Sequence, residues 1–96
     1  MIIRIVRMHF TQAGAEEFPG IFNAHKKAIR DFEGCTHLEL LKDLHDERAY
    51  TTLSHWKDEE SLEQYRKSEL FSSVWGRVKT QFSQRTQAFS LVKVEE

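Results

Sequence analysis

Trp56, Arg7, His9 and His25 carry most of the chemistry this sequence has to offer. An imidazole takes a phenolic proton near neutral pH, so His9 and His25 are candidate general bases. His9 equally fits an exposed strand end, and His25, on an apolar helical stripe, equally fits a satisfied core histidine. Arg7 suits an ion pair or a subunit surface. Facing a cavity, its guanidinium would stabilise a phenolate or enolate, the form of a quinol that reacts with oxygen. Trp56 closes a strand just before a helix cap. It fits core packing with its N–H on a backbone carbonyl, and it fits a binding cleft, where an indole offers a stacking face and one donor. By the two-residue period of a strand, Tyr50, Thr52 and Ser54 share its side. Tyr65, Phe71 and Trp75 follow on helices, as core or as lining. With Thr52 and Ser54 they make a candidate substrate pocket, apolar with a few polar groups, suited to a planar organic ligand.

Other chemistries find less support. Five histidines invite a metal, but no pair has helix spacing with a carboxylate in a ligand pattern. His9 and His55 end different strands, roughly 20 Å apart at ~3.3 Å per residue, and are expected on different sides. His37 and His45 read as surface. Asp58, Glu59 and Glu60 are a capped helix start, since adjacent helical residues do not face each other. Cys35 has no basic partner nearby in sequence and reads as a buried, inert thiol. No glycine-rich phosphate loop or Ser-His-Asp pattern stands out. No metal and no cofactor is therefore expected.

The bulk properties narrow the class. A formal charge of -1 argues against a phosphate-backbone binder or a polybasic membrane anchor. A lone cysteine cannot form an internal disulfide, which suits the reducing cytoplasm. The apolar runs are too short to span a bilayer, and no signal-peptide pattern opens the chain. Ninety-six residues make one domain, 1–96.

The elements that must position these groups follow from periodicity. Residues 2 to 10 read as strand one and "TQAG" as a turn. Phe18, Ile21, Phe22, His25, Ile29 and Phe32 recur at helical spacing. Pro19 implies that this helix has only just begun there, and Gly34 stops it. "CTHLELLKD" and "RAYTTLSHW" make a hairpin. Asp58 and Ser68 cap two helical segments, the second running "ELFSSVWGRVKTQF", and "QRTQAFSLVKV" is the closing strand. The order β-α-β-β-α-β is the ferredoxin-like α+β arrangement, with an antiparallel sheet in the order 4-1-3-2 and helices on one face. Strand one offers Ile3 and Ile5 on one side and Val6, Met8 and Phe10 on the other. Strand four offers Phe89 and Leu91 against Ala88, Val92 and Val94. Both faces read as covered, so a second copy of the sheet is expected on the open side, giving a homodimer.

The hairpin running into "SHWKDEESLEQYRKSELFSSVW", with Gly34 and the apolar "LELL", resembles the antibiotic biosynthesis monooxygenase (ABM) domain. The shared pattern is a strand ending in Trp, an acidic cap, a short helix, then Ser-acid-x-Phe. The resemblance implies a dimeric α/β barrel with a cavity between sheet and helices in each subunit. It also implies oxygenation of a small aromatic or quinol without metal or flavin, or else a binding or stress-related module of the same shape. It places Arg7 on the side of Trp56, with Ile3, Ile5 and His9. Haem-degrading relatives use an asparagine late in strand one and an iron-ligating histidine in the last helix. The corresponding positions here are Arg7 and Trp75, neither of which does that work, leaving His25 as another nitrogen donor.

Overall fold

In the computed structural model, which describes residues 1–94, β1 (Ile2–His9) leads into α1 (Gln12–Arg30) and β2 (Cys35–Lys42). β3 (Ala49–Trp56), α2 (Glu59–Arg66), α3 (Glu69–Val78) and β4 (Gln87–Leu91) complete the chain, with a 3-10 turn at Lys79–Gln81. The strands form one antiparallel sheet in the order β2-β3-β1-β4. That is the expected ferredoxin-like order, with the two helical segments expected after β3 present as α2 and α3. The sheet is open at β2 and β4 and does not close into a barrel.

Each helix starts where a side chain satisfies an orphan N–H. Thr11 Oγ1 accepts from the Gly14 N–H at 3.1 Å, so "TQAG" is the first turn of α1 and not a loop. Asp58 Oδ1 accepts from the Ser61 N–H at 2.8 Å, and Ser68 Oγ from the Phe71 N–H at 3.1 Å. The backbone bond to Ser61 holds the Asp58 carboxyl below its ordinary range. α3 ends at Val78, short of the expected Phe82, because the chain tightens into the 3-10 turn. Phe82 instead bridges to Phe10 as a β-pair.

Pro19 sits well inside α1, contrary to the expectation of a helix beginning there. Its ring deprives the Ala15 carbonyl of a donor, a cost of ~3 kcal/mol in a helix interior. The stripe Ala15, Phe18, Phe22 and Ile29, all buried against the sheet, offsets it. Pro19→Ala is expected to raise the unfolding free energy by about 2 kcal/mol, once the ~1 kcal/mol of unfolded-state restriction is given back. A urea midpoint no higher than that of the parent protein would show that the helix has already relaxed around the ring.

The register decides which residues meet the helices. Across β1 and β3, Ile2 opposes Trp56, Arg4 opposes Ser54, Val6 opposes Thr52 and Met8 opposes Tyr50. Met8, Tyr50, Ser54 and Trp56 are buried, so this even-numbered face carries the core. The other face holds rows Leu91–Ile3–His55 and Phe89–Ile5–Leu53. There Phe89 and Leu91 are 49% and 46% exposed and Leu41 is 42% exposed. Among the described residues no helix packs on that side.

Candidate functional site

A cavity of about 380 Å³ lies between the inner sheet face and the three helices. Its floor is Val6, Met8, Thr52, Ser54 and Trp56 from β1 and β3, with Leu38 from β2. Phe18, Phe22 and Ile29 of α1 wall one side, and Leu62 and Tyr65 of α2 another. Phe71, Val74, Trp75 and Val78 of α3 close it, with Thr86 and Ala88 at β4 and Arg4 and Arg66 at the rim. Helical spacing in α3 puts Phe71, Val74, Trp75 and Val78 on one side, as an amphipathic stripe requires.

Aromatic rings run in contact along this wall. Trp56 stacks on Tyr65 with centroids 4.9 Å apart and planes at 24°, and Tyr65 meets Phe71 edge-on at 5.3 Å. Phe71 stacks on Trp75 at 5.7 Å and 11°, and Trp75 tilts against Phe82 at 5.3 Å. Offset and edge-on pairs at these distances are the favourable aromatic geometries. Trp56 is only 1% exposed. Its indole N–H donates to Ser54 Oγ at 2.9 Å and not to a backbone carbonyl. Trp56 therefore offers the cavity ring surface, while its one donor is already used.

Burial sets the titration of the wall. The Tyr65 phenol is pushed up to about 12 by desolvation, so it is a hydrogen-bond donor at neutral pH and not a base. Burial likewise raises the Cys35 thiol, which donates weakly to the His37 carbonyl at 3.5 Å. Arg4 is lowered from the ordinary arginine range by desolvation and by the neighbouring Arg66 cation.

The face assignment expected for Arg7 and His9 is overturned. Arg7 pairs with Thr51, and His9 with Ala49, on the side of the sheet away from Trp56. Arg7 reaches Asp43 at 3.1 Å, an ion pair at the β2 end. His9 and His55 share that open face but lie at opposite ends of β1, near Ala49 and Ile3 respectively. His25 is half-buried on α1, outside the cavity lining. Its Nδ1 lies 2.9 Å from the Ile21 carbonyl, and since a carbonyl only accepts, Nδ1 carries the proton. His37 is paired with Glu39 and lies 5.0 Å from the His55 ring. Among the described residues, no cluster of three or more His, Cys, Asp or Glu has metal-binding geometry. Thr52, Ser54, Tyr65, Phe71 and Trp75 all face the cavity.

The family described as antibiotic biosynthesis monooxygenase matches residues 1–74. The chain belongs to the antibiotic biosynthesis monooxygenase family. This ABM domain has the fold of a solved antibiotic biosynthesis monooxygenase, at 15% identity and a TM-score of 0.91 over 99% of this chain and 100% of that one. It is similar to a conserved protein from Methanosarcina mazei, at 23% identity and a TM-score of 0.88 over 97% and 93% of the two chains. A third likeness is to the Pseudomonas aeruginosa protein PA3566, at 21% identity and a TM-score of 0.84 over 98% and 94%. At these identities the likenesses speak for the fold. Comparison with curated proteins gives no match.

Arg4, Arg66 and Thr86 are the polar residues of the ABM cavity that sequence reasoning missed. Strand parity held the signal for Arg4. Ile2, Val6, Met8 and Phe10 outnumber Ile3 and Ile5 as apolar residues of the first strand, so the even face was the stronger candidate for the core. Arg66 and Thr86 had no such signal, because Arg66 ends α2 and Thr86 stands just before β4.

Proposed function

We propose that this ABM domain oxygenates a small aromatic or quinol-type molecule in the cavity beneath the helices. The observation that carries the reading is the aromatic-walled cavity of about 380 Å³, a size and lining suited to a planar organic ligand. In this chemistry the ionised substrate passes one electron to dioxygen. The resulting radical and superoxide combine as a peroxide anion, which takes one proton from solvent. Loss of water, carrying the ring hydrogen at that carbon, leaves one oxygen atom there as a carbonyl. The substrate supplies all the electrons, and the protein excludes water and holds the ring. We place the protein in the cytoplasm, on the strength of its single buried thiol. We also propose a homodimer joined through the open sheet face, where Ile3, Ile5, Leu53, Phe89 and Leu91 form a contiguous apolar surface.

A specific observation favours a second reading. Among the described residues the cavity lining holds no histidine and no carboxylate, so they offer it no ordinary general base. A non-catalytic module that binds the same molecules fits that lining.

Oxygen uptake with 2-methyl-1,4-naphthoquinol separates the two. Catalysis predicts uptake above the rate in buffer, falling tenfold or more in Trp75→Ala. Quenching of tryptophan fluorescence by 2-methyl-1,4-naphthoquinone without any uptake would favour the binding module. Light scattering at working concentration should report twice the 11.4 kDa chain mass. A lone chain would remove the dimer.

A further inference from the structure

We propose that the cavity takes its aromatic ligand as an anion, seated at the rim between Arg4 and Arg66. This rests on the pocket reading above and names the class of molecule that reading leaves open. The register sets Ser90, Arg4 and Ser54 side by side in one row on the inner face of β4, β1 and β3. Arg4 is half-buried and lines the cavity. Its guanidinium donates to the neutral Ser90 Oγ at 2.9 Å. Among the described residues no carboxylate lies within ion-pair distance of it. Arg66 enters the same rim from the last turn of α2 and is already paired with Glu63 at 2.7 Å. Among the described residues the carboxylate facing both cations is Glu63, which pairs with Arg66 and acts on Arg4 only from beyond ion-pair distance. A partly desolvated cation beside an apolar cavity is costly without a counter-ion, and a bound carboxylate relieves that cost. The planar fork of a guanidinium also matches a carboxylate with two parallel hydrogen bonds.

Ser54 adds a donor. Its oxygen accepts the Trp56 indole N–H, which leaves the single hydroxyl proton free to point toward the row. At the other end of the cavity Thr86 Oγ1 is buried without a partner. Thr86 stands four positions before Ser90 in the chain, about 13 Å at ~3.3 Å per residue. The ligand this spacing fits is elongated: an acidic head at Arg4, an aromatic body on Trp75 and Phe71, and a hydrogen-bonding group at the Thr86 end. A carboxylic acid is already ionised at neutral pH, so the site asks for no proton transfer to bind it.

The test titrates 2-naphthoate and 2-naphthamide, matched in shape and different in charge, into the full chain by tryptophan fluorescence. The expected result is naphthoate binding at least tenfold tighter at low salt, with the gap closing as salt is raised. Arg4→Met should erase the preference while naphthamide stays within twofold, and Arg4→Lys should keep part of it. Arg66→Gln, at an exposed helix end, should narrow the gap and serves if Arg4→Met does not fold. Equal binding of the two probes overturns the charged subsite and leaves the pocket standing. Failure of both to bind overturns the subsite together with the pocket reading.

Discussion

Replacing Gly34 by alanine is expected to cost about 3 kcal/mol, a large share of the 5–15 kcal/mol that stabilises a typical domain. Two independent causes act at this position. Gly34 has φ +92, in the left-handed region where an L side chain costs roughly 1–2 kcal/mol. A Cβ built there would also overlap Cβ and Oγ of Ser61. Ser61 cannot easily step aside, because its N–H is held by the Asp58 cap of α2. Overpacking of that kind adds about 1–3 kcal/mol. The close approach has a purpose in the fold. The Gly34 carbonyl accepts the Lys57 N–H at 2.8 Å, which ties the α1–β2 connection to the end of β3 beside Trp56. Urea denaturation of Gly34→Ala, Ser61→Gly and the double variant separates the causes. The double variant should recover the steric part and leave the backbone part. A double variant no more stable than Gly34→Ala would show that sterics contribute nothing.

The fold was legible because each element repeats its own instruction. Apolar spacing in α1 and α3, the caps Asp58 and Ser68, and the hairpin between two β-branched runs all lead to the same arrangement. Where a single residue spoke against its neighbours, the single residue misled. Pro19 argued for a helix start, but the buried stripe on both sides of it carries the helix through. Phe82 kept the helical spacing of α3, yet its ring packs on Phe10 and its backbone pairs as a bridge. The site was plain in its aromatic wall and only weakly signalled in its charge. Trp75 and Phe71 announce themselves by spacing. Arg4 and Arg7 lie three positions apart on one strand, so they face opposite sides, and one bond of register exchanges them. The apolar count of β1 leaned toward the side of Arg4, and its pairing with β3 fixes that choice.

Trp56→Ala is expected to cost about 4 kcal/mol, the other large effect. The ring is almost fully enclosed, stacked on Tyr65 and meeting Phe32 edge-on at 6.3 Å. Its loss opens a void between β3 and α2, which are joined by only Lys57 and Asp58 and so have little freedom to close it. It also strips Ser54 of the one donor it accepts from. Trp56→Phe restores most of the volume but not that donor, so it should cost less, about 2 kcal/mol. Trp75 is half-buried, and Trp75→Ala should cost less than Trp56→Ala while enlarging the cavity. The comparison divides the aromatic wall by role. Trp56 is a structural plate whose removal lowers the denaturation midpoint before any ligand is added. In the proposed site Trp75 is the face a ligand meets, so its removal should weaken 2-methyl-1,4-naphthoquinone binding in a protein that still folds. Equal losses of stability in Trp56→Ala and Trp75→Ala would contradict that division, since it depends on the enclosure of one ring and the openness of the other.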